Sequence, residues 1–194
     1  MTQPIANERI PESEVDAMFT DRWSPRAFIN EPLTACQVAT LFEAVRWAPS
    51  CFNEQPWFFR YAISKEDRSR FAAALVDKNR EWAQHALMLL FVLTRKNFLR
   101  TGKPNRHAIF DAGAAWMSLA LQARRLGLYA HGMAGFSVEK AAEILNVSLD
   151  EYEIMAAVAV GRRGEPTTLP DDLALVEKPN GRKSPNEVAG EGSF

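Results

Sequence analysis

The feature of this sequence that most constrains its fold is one long helical stretch, from about Asn105 to Leu126. Its middle, Ala112 to Ala123, is polar only at Ser118 and Gln122, so the predicted helix is apolar on nearly every side. A helix of this kind must be covered from several directions. In a chain of 194 residues, we expect neighbouring elements to supply part of that cover and a second subunit to supply the rest.

Weaker patterns around this helix predict a mixture of further helices and strands. Apolar residues at helical spacing and capping residues indicate helices, whereas aromatic or continuous apolar runs indicate strands. The predicted helices are Ser13 to Phe19, Thr34 to Trp47, Ser64 to Val76 and Ser137 to Leu145, and the predicted strands are Trp57 to Ile63, Leu87 to Thr94 and Glu153 to Val160. These elements do not alternate regularly, which favours an α+β fold in one domain over residues 1–194. Beyond Pro166 the chain is polar and rich in Pro and Gly, so about 167–194 is predicted to be an extended arm.

The composition is that of an ordinary globular protein, with 47% hydrophobic residues, 24% charged residues and a net charge of -1. This balance does not predict a nucleic-acid surface, although a few local arginines could bind a small anion. Met1 to Arg9 lacks the apolar core of a secretory signal, and the longest apolar run, Leu87 to Leu93, is too short to span a bilayer. Cys36 and Cys51 are more simply free thiols than a disulfide, so we expect a cytoplasmic protein with no membrane partner.

The first candidate binding segment is Arg22-Trp23-Ser24-Pro25-Arg26. Its two guanidinium groups and the hydroxyl between them can converge on a phosphate, because an arginine fork binds such oxygens in a bidentate manner. Neither of the two commonest nucleotide-phosphate loops, G-x-G-x-x-G after a strand or G-x-x-x-x-G-K-[ST], occurs in the chain. From these five residues alone, two surface arginines on a solvated loop are the more economical interpretation.

The second candidate segment runs from Ala48 to Trp57 and carries Ser, Asn and Gln between Pro49 and Pro56. Amide side chains both donate and accept hydrogen bonds, so a rigid segment of this composition suits a planar heterocycle. A helix-to-strand turn whose side chains only satisfy the local backbone is an equal alternative.

Taken together, these segments resemble the FMN-binding nitroreductases. The resemblance rests on R-W-S-P-R-A-F near the N-terminus, then L-F-E-A-V-R-W-A-P-S, then N-E-Q-P-W-F-F. Three later segments agree in the same order: Gly132 to Phe136, Ala157 to Gly161, and Gly181 to Val188. Each piece is weak alone, but the ordered set points to the family and not to a substrate.

The resemblance implies a fold, an assembly and a set of cofactor contacts. The fold would be a central, mostly antiparallel sheet flanked by helices, in an intertwined homodimer with FMN at the subunit interface. The long helix would form the central dimer contact. The implied FMN-binding residues are Arg22, Trp23, Ser24, Arg26, Pro49, Ser50, Cys51, Asn53, Asn79, Gly132, Met133, Ala134, Gly135, Arg182 and Lys183.

The roles that the resemblance implies divide these residues into three groups. Arg22, Ser24 and Arg26 would hold the phosphate, ribityl chain and pyrimidine oxygens, and Arg182 with Lys183 would complete the phosphate site. The segment from Pro49 to Asn53 would contact the partner's flavin. Asn79 would lie near the pyrimidine ring, and the backbone of Gly132 to Gly135 would approach flavin N5.

Two positions depart from the family pattern. Ala134 stands where some members carry an acid, so any role of that acid is missing here. Cys51 stands where members often carry Ser, and it lacks a recognisable base partner in sequence. The spacing of His85, His107 and His131 does not predict a metal site. His131 adjoins the predicted flavin loop and is a candidate for substrate contact, with a purely structural role as the more economical alternative.

The resemblance therefore implies an enzyme whose chemistry resides in the flavin and not in a catalytic side chain. NADH or NADPH would reduce it, and an electron-poor planar acceptor such as a nitroaromatic or a quinone would reoxidise it, in a ping-pong sequence. A flavin dehalogenase or an ene reductase of the same family is an alternative, as is a non-catalytic flavin-binding or redox-sensing module.

Overall fold

Strand β2 (Met88–Arg95) lies at the centre of the computed structural model, which describes residues 7–193, and all but its last residue are buried. The other strands are β1 (Trp57–Ala62), β3 (Tyr129–Met133) and β4 (Tyr152–Gly161). The helices are α1 (Ala17–Asp21), α2 (Ala35–Arg46), α3 (Lys65–Ala72), α4 (Asp77–Ala83), α5 (Ala108–Arg125), α6 (Val138–Leu145), α7 (Asp171–Ala174) and α8 (Pro185–Val188). The central position of β2 explains why its sequence is a continuous apolar run and not an alternating one.

The four strands form one sheet in the order β1-β2-β4-β3, and every neighbouring pair is antiparallel. Leu90 of β2 lies opposite Val158 of β4, and the register shifts once, between Val92 and Leu93. β3 pairs with β4 alone and so forms one edge of the sheet. The predicted α+β class and the antiparallel central sheet are confirmed.

Helices cover both faces of this sheet. Met88, Leu90 and Val92 of β2 pack with buried residues of α2 and α5. The alternate residues, Leu89 and Phe91, pack on the opposite face with α3, α4 and α6. Because successive side chains of a strand point to opposite faces, β2 alone contributes to both apolar layers.

Local capping signals account for the helices that the sequence predicts best. Thr34 and Gln37 form a capping box at the start of α2, and its buried residues Val38, Leu41 and Val45 follow helical spacing. Ser137 accepts a hydrogen bond from the backbone of Lys140 and begins α6. Both helices lie within one or two residues of their predicted limits.

Two helix predictions need correction, and one helix was missed. The first helix was expected from Ser13 to Phe19, but it begins only after Asp16, whose carboxylate caps the backbone N–H of Met18. The third was expected to reach Val76, but α3 ends at Ala72. The chain turns there because the backbone N–H of Val76 donates to the carbonyl of Gly135. Helix α4 follows and was not predicted.

The predicted flavin loop and the predicted arm also differ in extent from the structure. Gly132 and Met133 belong to strand β3, which was not predicted, so the loop begins at Ala134. The first part of the predicted arm folds back on the body of the protein, since Leu173 and Glu177 are buried. Most of the residues after 177 are exposed.

Helix α5 is covered on one side only within a single chain. Ala112, Ala115 and Leu119 are buried, whereas Ile109 is 49% exposed and Phe110 is 79% exposed. The apolar composition of α5 is therefore only partly explained by packing inside one subunit. Within residues 7–193, no helix combines the length and apolarity needed to cross a membrane.

Candidate active site

A cleft of about 410 Å³ brings the Arg22–Arg26 segment together with the C-terminal chain and strand β3. Four of its lining residues carry positive charge: Arg22, Arg26, Lys178 and Arg182. The remaining lining residues are Trp23, Ser24, His131, Val176 and Asn180. No acidic side chain lines this cleft, so its charge is positive and the cleft suits an anion.

The guanidinium group of Arg22 is a partly buried cation of this cleft without a counter-ion in the described chain. It is half-buried and has no hydrogen-bond or ion-pair partner anywhere in residues 7–193. Burial first, and then the neighbouring charge of Arg182, hold the pKa of Arg22 below its usual value. Two cations held close together without a counter-ion make a site that an anion would stabilise.

Arg9 links the N-terminal region of the chain to the C-terminal region beside this cleft. Its guanidinium donates to the carbonyl oxygens of Thr20 and Arg22, at 2.9 and 2.8 Å, and to the carbonyl of Asn180 at 2.7 Å. The side-chain oxygen of Asn180 accepts from both Arg9 and Arg182. Arg9 and Asn180 therefore hold Arg22 and Arg182 at the same side of the cleft.

A buried carboxylate supports the other arginine of the segment. One side-chain oxygen of Glu177 accepts hydrogen bonds from the backbone N–H groups of Arg26 and Ala27, at 2.6 and 2.9 Å. The other oxygen lies 3.7 Å from the Arg26 guanidinium. The Glu177 side chain is almost fully buried, so its charge fixes the segment without reaching into the cleft.

His131 holds the same segment from strand β3. Its Nδ1 lies 2.9 Å from the carbonyl oxygen of Pro25, and its ring packs on Trp82 with centroids 4.5 Å apart. A carbonyl can only accept, so Nδ1 carries the proton and donates. Burial lowers the pKa of His131 to about 4, aided by the charge of Arg26 and opposed by hydrogen bonds to the Pro25 and Ser24 backbone. The imidazole is therefore neutral at pH 7.

Trp23 and Ser24 complete the segment. The Trp23 ring is buried and meets Tyr129 edge-on, with centroids 5.9 Å apart. Ser24 lines the cleft, and its hydroxyl has no described partner. Arg22, Trp23, Ser24 and Arg26 thus line one cleft together with Arg182, and their contacts with FMN stay a prediction.

Lys183 lies outside this cleft. It lines a neighbouring cleft of about 900 Å³, which also includes Arg22, Arg182 and Met117 of α5. Its ammonium group is therefore near the same arginines without lining the first cleft.

The segment that follows β3 is packed closely against α4. The amide nitrogen of Asn79 donates to the carbonyl of Gly135 at 3.0 Å. A Cβ atom added at Gly135 would lie 2.5 Å from that nitrogen, so the approach requires glycine. Gly132 and Ala134 are exposed, whereas Met133 is buried, so of these three residues Gly132 and Ala134 are accessible to a ligand.

The Pro49–Asn53 segment lies apart from the cationic cleft. No residue of this segment lines that cleft. The backbone N–H of Cys51 donates to the carboxylate of Asp111, which is on α5 and only 3% exposed. Phe52 and Asn53, with Gln55 just beyond, have φ angles of 53°, 56° and 50°, in the left-handed region. This conformation is costly for Phe52 in particular.

Sequence reasoning missed several residues that build the cleft. Lys178, Asn180 and Glu177 stand in a polar, proline-containing stretch, which is typical of a solvated arm. Arg9 precedes the first recognisable motif. Arg9, Asn180 and Glu177 are held at the site by long-range hydrogen bonds, for which the sequence offers no local signal. No cluster of His, Cys, Asp and Glu suited to a metal ion occurs in residues 7–193.

Comparison with known proteins agrees with this architecture. A solved oxidoreductase described as containing FMN superposes with a TM-score of 0.92 at 43% sequence identity, covering 98% of both chains. A Streptomyces coelicolor protein with the provisional name NADH dehydrogenase/NAD(P)H nitroreductase is 28% identical over 80% of this chain and 88% of its own. A Desulfovibrio desulfuricans nitroreductase solved with FMN shares the fold, with a TM-score of 0.71, 23% identity and coverage of 94% of this chain and 99% of its own.

The profile of the nitroreductase family matches residues 19–162 of this chain. That range includes the Arg22–Arg26 segment, the strained segment before β1 and all four strands. The chain is a member of the nitroreductase family.

Proposed function

We propose that the protein is an FMN-dependent oxidoreductase that uses NADH or NADPH to reduce electron-poor planar molecules such as nitroaromatics and quinones. The observation that carries this proposal is the half-buried Arg22 guanidinium, which has no counter-ion in the described chain and lies beside Arg182. A monophosphate would supply the negative charge that Arg22 lacks as a counter-ion. The residues that line the clefts include no dinucleotide phosphate loop.

The residues of the cleft fit such a cofactor. Arg22, Arg182 and Lys178 would hold the phosphate, with Lys183 near them. Arg26, fixed by Glu177, would direct its guanidinium toward the ribityl chain and the pyrimidine oxygens. Bound FMN would supply the two-electron chemistry at its ring. Arginines near the pyrimidine oxygens would stabilise negative charge there.

The backbone from Gly132 to Gly135 would lie against the reactive edge of the ring. The exposed Gly132 and Ala134 leave room for this approach, and the bond from Asn79 to the Gly135 carbonyl fixes the loop. Ala134 offers no acid. The required protons would therefore come from water or from the surroundings of the substrate, and no side chain would act as a catalytic acid.

The active form would be a homodimer. Ile109 and Phe110 on α5, together with Trp47 and Phe52, are exposed apolar side chains on one subunit. Burying them against a second copy would remove a large apolar area from water. In that assembly Pro49, Ser50, Cys51 and Asn53 would contact the partner's flavin, which accounts for their absence from the cleft of their own chain.

One open site would serve the two substrates in turn. The nicotinamide must align with the flavin ring, and the acceptor needs the same position, so the first product has to leave before the second substrate binds. We therefore expect parallel double-reciprocal lines when initial rates are measured against both substrates. The two cysteines are free thiols, which suits a reducing compartment such as the cytoplasm.

The test is an anaerobic assay on gently purified protein. The flavin released by denaturation is identified and counted, and the oxidation of NADH and NADPH is then followed with a panel of nitroaromatics and quinones. We expect about one FMN per chain and turnover with at least one acceptor.

The possible outcomes separate the alternatives. FAD or no flavin would contradict the cofactor assignment, whereas bound FMN without oxidation of either nicotinamide would favour a non-catalytic flavin-binding module. Turnover restricted to halogenated or enone acceptors would favour a dehalogenase or an ene reductase. Intersecting double-reciprocal lines would contradict the ping-pong mechanism, in which the two substrates occupy one site in turn.

A further inference from the structure

A second basic cleft, of about 660 Å³, lies away from the first and shares no lining residue with it. Three cationic side chains and one histidine line it: Lys65, Arg68, Arg80 and His85. No acidic side chain is among its lining residues. The proposed oxidoreductase chemistry makes no use of this cleft.

Arg68 is the fixed element of the second cleft. Its Nε donates to the carbonyl of Ile63 at 3.1 Å, and its Nη1 donates to the carbonyl of Ala86 at 2.6 Å. Its Nη2 has no partner in the described chain. Burial lowers the pKa of Arg68, but a guanidinium group stays charged at pH 7. A charged donor held rigidly by backbone carbonyls is thus available to a ligand.

The neighbouring groups add positive charge with little local compensation. Lys65 and the imidazole of His85 form no described hydrogen bond or ion pair. Arg80 is paired with Asp77, which lies outside the lining of the cleft. Lys65 and Arg68 therefore supply the net charge, and His85 supplies a further hydrogen-bonding group.

The lining of the cleft is apolar in part. Phe28 and Leu87 are buried residues that line it. A ligand bound here would meet both positive charge and apolar carbon, so a simple inorganic anion would use only part of the site.

We propose that the second cleft binds a small phosphate monoester that carries an apolar or aromatic group. A phosphate suits the free edge of the Arg68 guanidinium and the nearby Lys65 ammonium, because both form charge-assisted hydrogen bonds to its oxygens. The apolar substituent would pack against Phe28 and Leu87. This site is separate from the cleft that contains Arg22 and does not depend on flavin chemistry.

The experiment is a calorimetric titration of the full chain with phenyl phosphate at low ionic strength, after the protein has been loaded with FMN to occupy the first cleft and unbound FMN has been removed by gel filtration. We expect one phenyl phosphate per chain, bound more tightly than inorganic phosphate or benzoate. Lys65→Glu should weaken binding by about tenfold or more, because attraction is replaced by repulsion. The matched control is Lys140→Glu, a charge reversal of an exposed lysine on α6, which should leave binding unchanged.

Three results would overturn the proposal. The first is the absence of phenyl phosphate binding, and the second is equal binding by the wild type and Lys65→Glu. The third is benzoate bound as tightly as phenyl phosphate, which would make the ligand a carboxylate. Arg22→Ala separates this proposal from the proposed function, since phenyl phosphate binding that is lost in Arg22→Ala but kept in Lys65→Glu would belong to the first cleft.

Discussion

Two segments that were both predicted to bind FMN differ in how the protein holds them in place. The Arg22–Arg26 segment has no φ angle in the left-handed region, and partners distant in sequence hold it, notably His131 and Glu177. The Pro49–Asn53 segment has two left-handed non-glycine residues and is held to α5 by Asp111. The first segment places like charges close together, whereas the second contains strained backbone angles.

The difference indicates how each segment would respond to a ligand. Like charges held close together are stabilised when an anion binds, so the first segment is expected to become more stable with FMN present. Backbone strain is not relieved by charge, and it persists only where the surroundings enforce the conformation. We therefore expect electrostatic changes to affect the first segment and backbone changes to affect the second.

The largest effect that we predict is a loss of stability in acid through His131, which is bonded to the first segment and has no described contact with the second. Its pKa is about 4 in the folded protein and near 6.5 when unfolded, so the unfolded chain takes up the proton first. The free energy of unfolding should therefore fall as the pH drops from about 6.5 to about 4, by about 3 kcal/mol on the scale of 1.4 kcal/mol per pKa unit.

Denaturant unfolding at a series of pH values tests this, with His131→Gln as the matched variant. Glutamine can still donate to the Pro25 carbonyl but does not titrate. The other titratable groups are common to both proteins, so the difference between the two pH profiles reports His131. Parallel profiles would mean that His131 takes up its proton equally well in the folded state.

The next largest effect should follow the removal of the Arg22 guanidinium. Arg22→Ala is expected to weaken FMN binding by about 2 kcal/mol, roughly thirtyfold, because charge-assisted bonds to a partly buried anion are lost. Flavin fluorescence during dialysis or titration measures the change. Arg100→Ala, which removes an exposed arginine that lines neither cleft, should bind FMN like the wild type. Equal affinities for Arg22→Ala and the wild type would remove Arg22 from the site.

The same contrast explains what the sequence could predict. Helices with local caps, such as α2 with Thr34 and α6 with Ser137, were predicted almost to the residue because their signals lie within a few positions. Helix α4 was missed because its sequence, Asp77 to Ala83, is mostly polar and only Trp82 and Ala83 are buried. Strand β3 was missed because it is short, contains Gly132 and pairs on one side only.

The residues of the candidate site also divide into those that the sequence predicts and those that it does not. The arginines of the first segment could be predicted from the sequence because they stand four positions apart in one motif. Glu177 and Arg9 could not be predicted from the sequence, because their bonds join distant parts of the chain. Glu177 accepts from the backbone of Arg26, 151 positions away, and Arg9 donates to the carbonyl of Asn180, 171 positions away. The strain at Phe52 has no sequence signal at all, since a phenylalanine does not favour the left-handed region.

A smaller effect is expected where α5 holds the strained segment. In Asp111→Asn the backbone N–H of Cys51 would donate to a neutral acceptor in place of a carboxylate, which should lower the free energy of unfolding by about 1 kcal/mol. Cys51→Ser keeps the backbone N–H and a side chain of similar size, and it should remain close to the wild type in stability and turnover. An unfolding midpoint unchanged in Asp111→Asn would show that the carboxylate charge does not hold the segment. A folded, flavin-loaded but inactive Cys51→Ser would instead indicate thiol chemistry.

The smallest effect should have the opposite sign. Phe52 is 88% exposed within one chain and has a φ angle of 53°, so in dilute protein, where the proposed dimer is dissociated, Phe52→Gly removes little buried surface and relieves a left-handed phenylalanine. That conformation costs a non-glycine residue about 1–2 kcal/mol, whereas glycine costs about 0.5–1 kcal/mol in entropy, so the net gain in stability should be about 0.5 kcal/mol.

Leu99→Gly, at an exposed residue outside the left-handed region, carries the entropy cost alone and should be destabilising. Denaturant midpoints that move in the same direction for both variants would mean that Phe52 is unstrained in solution. A more stable Phe52→Gly that retains less FMN would show that the phenyl ring serves ligand binding at a cost in stability, because glycine keeps the left-handed conformation and removes only the ring.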